Sequence, residues 1–182
     1  TSNLEEQCFT SVFTGEEFFL KDHFVKCQML LPEVVCLEMA RAAIEKAVNM
    51  DNRTIEFENI VWSQPFTVRD KSKELTIALF PAEDNRIIYE IYTKGSSENE
   101  DLIYSQGSGK IVEKSDEEII NIEALKKRCN KKIITAEVCY ETFKKLGIDY
   151  GAGYRVIKEL YTRENRVLAR LELPSILIDE ED

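Results

Sequence analysis

Apolar residues fill most of one helical stretch near the start of the chain, Val34 to Val48. Its main polar side chains are Glu38, Arg41 and Glu45, which share one narrow stripe at helical spacing. Pro32 fits the first helical position, and a carboxylate at Glu33 favours the positive end of the helix dipole. A helix that is apolar around most of its circumference is buried on several sides. The pattern therefore predicts a central helix and not a surface helix.

Strand patterns separated by turn-forming residues follow this helix. They cover Ile55–Trp62, Glu74–Phe80, Arg86–Tyr92 and Leu102–Val112. The apolar phase shifts near Glu58–Asn59, which predicts a β-bulge there. Gly107 and Gly109 predict a kink in the last of these strands. Residues 1–20 suggest an opening strand and a turn, with Gly15 as the breaker.

An early buried helix followed by hairpin-spaced strands favours an α+β hotdog fold, an antiparallel sheet wrapped round a central helix. A generic α+β domain with the same elements is the alternative. We assign the first hotdog to residues 1–115 and a charged linker to residues 116–133.

The start of a second, incomplete hotdog follows at residues 134–182. A helix is predicted over Thr135–Leu146, with Thr135 as its N-cap and Gly147 as its stop. Two apolar segments, 154–161 and 166–173, then form a hairpin with no central helix behind it. Such strands leave an apolar face that needs a partner, so we expect a homodimer, strand swapping or packing on the first sheet.

Charge and composition narrow the possible functions. The net charge is −10, which disfavours nucleic acid as a partner because phosphate binding needs clustered positive charge. No apolar run is long enough to cross a membrane, and no secretory signal is visible, so we expect a cytoplasmic protein. Five cysteines without close pairs and a single histidine argue against a metal site. The basic cluster at Lys126–Lys132 is either a docking face for an acidic carrier protein or a solvated helix face.

His23 is the only histidine and the only side chain with an ordinary pKa near neutrality. It precedes a proline-started helix, whose free N–H groups could polarise a carbonyl. A base beside carbonyl-binding amides suits chemistry next to a thioester. The alternative is a structural histidine within the core. Cys27, four residues later, is either a nucleophile paired with His23 or a small buried apolar residue.

Several segments resemble the dehydratase domains of modular polyketide synthases, in particular those of trans-acyltransferase assembly lines. The spacing of His23 and Pro32 matches the signature His-x3-Gly-x4-Pro, with Cys27 at the glycine position. The other similar segments are Leu31–Ala43, Asn59–Pro65, Tyr150–Tyr154 (against Tyr-Gly-Pro-x-Phe) and Val167–Leu171. Together they cover nearly the whole chain.

The resemblance implies a double hotdog in which His23 removes the α proton of a β-hydroxyacyl thioester carried on an acyl carrier protein. No cofactor is implied beyond the phosphopantetheine arm of that carrier, and neighbouring synthase domains are implied partners. Tyr150 and Gly151 would line the substrate tunnel, although core packing is an equal possibility for Tyr150. Cys27, Pro32 and Glu33 would lie near the substrate.

The chain also departs from the family pattern. No Asp-x3-Gln or Asp-x3-His follows Pro174, Ala152 replaces the motif proline, and Glu33 replaces a glycine. A carboxylate at Glu33 would oppose negative charge on a thioester oxygen. The alternative function is therefore an inactive scaffold or a non-dehydrating variant that shifts double bonds, or assists branching or ring closure.

Overall fold

The structure is a computed structural model that describes residues 7–68, 71–95, 101–114, 119–129 and 132–178. The chain divides into two units, one formed by residues 1–15 and 31–116 and the other by residues 16–30 and 117–182. The sequence assigned residues 16–30 to the first hotdog, whereas the structure groups this stretch with the second unit. The reason is strand pairing with residues near position 150.

The described helices and strands are as follows. In chain order they are β1 (Gln7–Phe13), α1 (Phe18–Lys21), β2 (His23–Val25), β3 (Gln28–Met29), α2 (Glu33–Ala47), β4 (Arg53–Trp62), β5 (Lys73–Pro81), β6 (Arg86–Thr93), β7 (Leu102–Glu113), α3 (Ile122–Arg128), β8 (Lys132–Thr135), α4 (Ala136–Lys145), β9 (Ile148–Tyr150), β10 (Ile157–Arg163) and β11 (Arg166–Leu171). Two single 3₁₀ turns occur at Ala152–Tyr154 and Ser175–Leu177. The elements predicted from periodicity are all present, with ends that differ by a few residues.

The first unit is the hotdog predicted from the sequence. Its described strands form an antiparallel sheet in the order β1-β5-β6-β7-β4, and α2 packs against β5, β6 and β7. The helix buries one face, made of Cys36, Ala40, Ala43 and Ile44. This face is narrower than the sequence predicted, since Val34 is 61% exposed. The sheet contributes to the same core the buried side chains Leu75, Ile77, Leu79, Tyr89 and Ile91.

A β-bulge interrupts β4 where the sequence predicted it. The register with β7 shifts between Glu58 and Val61, and Asn59 adopts a left-handed φ of 54°.

The kink at Gly107 and Gly109 stays a prediction. The β6–β7 ladder passes through both glycines without a shift, whereas the β4–β7 register shifts opposite Gly107, at the bulge in β4. Both glycines leave room for neighbouring side chains. A Cβ on Gly107 would lie 2.9 Å from the Tyr89 hydroxyl, and one on Gly109 would lie 2.8 Å from Ile44 Cδ1. The glycines therefore let the sheet approach the aromatic core and the central helix closely.

The second unit contains two small antiparallel sheets in its described part. One has the order β11-β10-β8, and the other has the order β3-β2-β9. Helix α4 begins after Thr135, as predicted, and Gly147 ends it in a left-handed conformation (φ 86°). Part of the predicted linker is helix α3, whose last turn carries Lys126, Lys127 and Arg128 of the basic cluster. Lys132 opens β8, and Lys131 lies outside the described residues.

Substituting Ile44 should destabilise the first unit far more than substituting an exposed residue of the same helix. Ile44 is fully buried, so Ile44→Ala removes apolar contacts and leaves a cavity, at a cost of about 2–5 kcal/mol. Val34→Ala is the matched control, with an expected change within about 0.5 kcal/mol. Trp62, the only tryptophan, lies in the first unit, so its fluorescence during urea unfolding reports the loss. Equal changes in the two variants would contradict a buried helix face.

Candidate active site

A tight hairpin carries the histidine. Strands β2 and β3 pair Phe24 with Met29 and Val25 with Gln28, so Lys26 and Cys27 form a two-residue turn. Both turn residues have positive φ, 49° and 62°, as a type I′ hairpin turn requires. This conformation explains why the family signature has glycine at the position of Cys27. A side chain in that conformation is strained, and here it is also exposed.

The hairpin fixes the tautomer of His23. The half-buried ring places Nδ1 2.9 Å from the carbonyl oxygen of Leu30, and the Leu30 amide donates to the carbonyl oxygen of His23. A carbonyl oxygen only accepts hydrogen bonds, so Nδ1 carries the proton and donates it. In the neutral ring Nε2 therefore keeps its lone pair. This arrangement is that of a general base held in one orientation.

Two tyrosine rings flank the imidazole. Strand β9 pairs with β2, with His23 opposite Tyr150, and the two ring centroids lie 5.7 Å apart. The ring of Tyr154 lies 5.8 Å from His23 and 5.8 Å from Tyr150. Sequence reasoning selected Tyr150 but missed the ring of Tyr154, which stands where the family motif has phenylalanine. The motif itself was the signal that could have revealed it.

The loop that bears these tyrosines is held from helix α4. The Tyr140 hydroxyl donates to the carbonyl oxygen of Tyr154 at 3.1 Å and accepts from the Ile157 amide at 2.9 Å. Arg155 donates from Nε to the Tyr150 carbonyl oxygen at 3.1 Å, and its guanidinium lies over the Tyr140 ring. These hydrogen bonds therefore hold the backbone on both sides of the loop that carries Tyr150 and Tyr154.

Burial is the main cause of the raised pKa values of the phenols of Tyr154 and Tyr140. Burial, assisted by Tyr150 and Asp22, raises the pKa of the Tyr154 phenol to about 12. Burial likewise raises the pKa of Tyr140. Both phenols are therefore protonated hydrogen-bond donors at neutral pH.

The remaining candidate residues, Pro32 and Glu33, belong to the first unit. Pro32 is the N-cap of α2, one position before the place predicted for it, and Glu33 opens the helix with an exposed side chain. Trp62 donates from Nε1 to the Glu33 carbonyl oxygen at 3.3 Å and so covers this end of the helix. Burial, followed by the effect of Glu33, raises the pKa of the Cys36 thiol to about 11, which leaves it inert.

Cys27, His23, Tyr150 and Gly151 all lie in the second unit. Cys27 is exposed, so the prediction of a small buried residue is wrong for it. Cys27, Cys36, Cys129 and Cys139 are free thiols. Among the described residues no group of three or more His, Cys, Asp or Glu side chains could hold a metal ion. No helix in the described ranges is long and apolar enough to cross a membrane.

The hotdog sheet with its helix and the hairpin-borne histidine define a dehydratase-type domain. Residues 1–94 match the family profile described as "Polyketide synthase dehydratase domain", and residues 121–182 match that of the "Polyketide synthase dehydratase N-terminal domain". This chain belongs to the dehydratase domains of modular polyketide synthases.

Known relatives agree with this assignment. The chain is 40% identical over 181 residues to polyketide synthase PksM of Bacillus subtilis, and 41% identical over 176 residues to PksL of the same organism. Each alignment covers at least 96% of this chain but only 4% of the synthase, so the chain spans a small part of these relatives.

Solved structures also match. A trans-AT polyketide synthase dehydratase domain from Brevibacillus brevis superimposes with a TM-score of 0.90 at 37% identity, covering 99% of this chain and 68% of that one. The dehydratase domain of the CurK module of curacin synthase shares the fold, with a TM-score of 0.84 at 22% identity over 97% of this chain and 61% of that one.

Replacing Cys27 with glycine should stabilise the second unit by about 1 kcal/mol, because glycine adopts the left-handed turn conformation without steric cost. Gln28→Gly is the matched control in the same hairpin. Gln28 lies in a strand, so there glycine should cost about 0.5–1 kcal/mol. Urea unfolding followed by circular dichroism measures both changes. Destabilisation by Cys27→Gly would contradict the strained turn.

The free energy of unfolding should fall at high pH because the Tyr154 phenol then loses its proton. Its phenol binds a proton more tightly in the folded protein than in the unfolded chain, where the ordinary pKa is 10. The stabilisation linked to this proton is complete below pH 10 and is lost as the pH rises from 10 to about 12. Tyr154→Phe should therefore reduce the decline of the free energy of unfolding in this range. Below pH 9 the two proteins should show parallel pH dependence, and parallel curves up to pH 12 would refute the assignment.

Proposed function

We propose that this domain acts on β-hydroxyacyl thioesters carried by an acyl carrier protein, with His23 as the base that removes the α proton. The observation that carries the proposal is the hydrogen bond from Nδ1 to the Leu30 carbonyl oxygen, which leaves Nε2 as the basic nitrogen. The family membership reported above supports the same chemistry.

The proton-transfer step follows from this geometry. The α C–H bond breaks, its proton passes to Nε2, and the electron pair moves into the thioester carbonyl to form an enolate. The imidazole becomes a cation, and the Nδ1–H bond to Leu30 strengthens because its donor is then charged. A positioned base of this kind contributes roughly two to four decades in rate.

Substrate would lie beside the tyrosine loop. We propose that Tyr150 and Gly151 line the acyl tunnel, and that Tyr154 lines it too. Their rings border His23, and the protonated phenol of Tyr154 can donate a hydrogen bond to a substrate oxygen. We also propose that the substrate lies near Pro32, Glu33 and Cys27. Only the family resemblance supports this part of the proposal.

Completing dehydration requires an acid for the departing hydroxyl. The family resemblance assigns this role to the aspartate of an Asp-x3-Gln or Asp-x3-His motif. Two carboxylates near the histidine strands are engaged elsewhere: Asp22 accepts from the Gly153 amide, and Asp149 pairs with Lys144. We therefore propose that this chain alone transfers the α proton but does not expel water at a useful rate.

The partners follow from the same assignment. We propose an acyl carrier protein as the donor of substrate on its phosphopantetheine arm, with no further cofactor, and neighbouring domains of a trans-acyltransferase synthase in the cytoplasm. A homodimer is proposed as well, because large apolar side chains of β11 and the segment after it are exposed. These are Val167, Leu171 and Leu173. We propose that the cationic side chains at the end of α3 contact the acidic carrier.

A second candidate is a non-dehydrating variant or a scaffold. It is favoured by the substitutions at the motif positions, namely Cys27 for glycine, Ala152 for proline and Glu33 for the glycine after Pro32. A domain that only moves a proton could shift a double bond without losing water.

Mass spectrometry of a loaded carrier protein tests the proposal. The carrier bears a 3-hydroxyacyl chain and is incubated with this protein in D₂O. We expect deuterium at the α carbon without loss of water, and a decrease of about 100-fold or more in the rate of uptake in His23→Ala. His23→Gln, which retains a side-chain donor but no base, should be equally slow.

Three outcomes have distinct meanings. Water loss that disappears in His23→Ala would show a complete dehydratase and contradict the proposed lack of dehydration. Uptake that is equal in the unaltered protein and His23→Ala would contradict the base role. No uptake above a protein-free control would favour the scaffold.

A further inference from the structure

Asp22, the residue before the histidine, binds the tyrosine loop at two points. Its carbonyl oxygen accepts from the Gly151 amide at 2.8 Å, and its Oδ2 accepts from the Gly153 amide at 2.6 Å. Asp22 and Gly153 are 131 positions apart in the sequence. One residue, at the end of α1 and just before β2, thus binds both glycines of a short loop. A hydrogen bond from an amide to a carboxylate is stronger than one between neutral groups.

The loop has glycine at these positions because Asp22 occupies the space of a side chain. A Cβ on Gly151 would overlap the Asp22 carboxylate. A Cβ on Gly153 would lie 3.0 Å from Asp22 Oδ2 and 3.0 Å from the ring of Phe18. Gly151 has a φ of −73° and a ψ of −175°, which any residue can adopt. Space for Asp22, and not backbone conformation, therefore accounts for glycine at Gly151.

The two bound glycines lie between the two tyrosines that border the histidine. Tyr150 directly precedes Gly151, and Tyr154 directly follows Gly153. A shift of this loop would move both rings relative to His23, because each tyrosine is one residue from an amide that Asp22 holds. Tyr150 is also fixed by pairing with β2, whereas Tyr154 lies beyond the strand, in the 3₁₀ turn.

We propose that Asp22 is a positioning residue of the histidine site, which holds the Tyr150–Tyr154 loop so that the Tyr154 ring, together with that of Tyr150, borders the imidazole. It does not act on substrate itself, because its Oδ2 is engaged by the Gly153 amide. The placement of the rings is independent of the reaction. Only the consequence for proton transfer rests on the function proposed above.

Nuclear magnetic resonance can test the placement directly, since His23 is the only histidine and its ring signals are unambiguous. In the unaltered protein we expect nuclear Overhauser contacts from the imidazole to the rings of Tyr150 and Tyr154. Asp22→Ala should weaken or remove the Tyr154 contact and speed hydrogen exchange of the Gly153 amide by about ten-fold or more.

Asp149→Ala is the matched control. This residue also precedes a member of the site, but its carboxylate binds Lys144 at 2.9 Å and no loop amide. It should leave the contacts and the Gly153 exchange rate unchanged. Asp22→Asn, which keeps an acceptor of the same shape, should restore both readouts to near those of the unaltered protein. A general loss of stability would not be reversed selectively in this way.

Unchanged imidazole–Tyr154 contacts and an unchanged Gly153 exchange rate in folded Asp22→Ala would overturn the proposal. If Asp22→Ala does not fold, Asp22→Asn and Gly153→Ala decide. The first should keep the Tyr154 contact, and the second should lose it because its Cβ pushes against Oδ2 and Phe18. The same contact in both variants, or its loss in both, would refute the role.

The rate of α-deuterium uptake separates this proposal from the proposed function. Slower uptake in Asp22→Ala, restored in Asp22→Asn, connects the positioned loop to proton transfer. If the unaltered protein shows no uptake, the proposed function fails, while the nuclear magnetic resonance contacts still decide the role of Asp22.

Discussion

The pairing of β2 with β9 is the interaction on which the histidine site depends. It joins the hairpin near residue 25 to the segment near residue 150 and sets His23 directly opposite Tyr150. The hairpin turn supplies the second constraint, since its two left-handed residues bring Leu30 across from His23. Without this turn the imidazole would lack the carbonyl that fixes its tautomer. A backbone carbonyl, and not a second ionisable group, therefore orients the imidazole of His23.

The imidazole of His23 is held in one orientation, while nearby positions of the family motif are substituted. The Nδ1 hydrogen bond holds the imidazole, and the rings of Tyr150 and Tyr154 adjoin it. Cys27 nevertheless places a side chain where the turn favours glycine, and Glu33 places a carboxylate at the start of α2. The protein tolerates the first change because the Cys27 side chain is exposed, so the strain is not compounded by crowding. Glu33 belongs to the first unit, where its carboxylate lies at the positive end of the α2 dipole.

Local patterns in the sequence predicted most of the elements. The period of the apolar residues gave α2, the phase shift gave the bulge in β4, and Gly147 gave the end of α4, because each depends on residues within a few positions. The cause of the two glycines in β7 was harder to predict. Glycine in a strand has two common causes, a bend or a close approach, and sequence alone does not separate them. In β7 the cause is close approach, because Tyr89 and Ile44 occupy the space that side chains at Gly107 and Gly109 would need. Both residues are distant from these glycines in the sequence.

The sequence by itself determined the hotdog fold, the candidate base and the family, since these follow from periodicity, from a single histidine and from ordered motifs. Only the tertiary structure grouped residues 16–30 with the second unit, placed Tyr154 against His23 and gave Asp22 its two amide partners. Strand partners and side-chain neighbours are chosen by packing and by hydrogen bonds between distant segments. A short stretch of sequence carries the propensity to form a strand, but the identity of its partner is settled only when the chain folds.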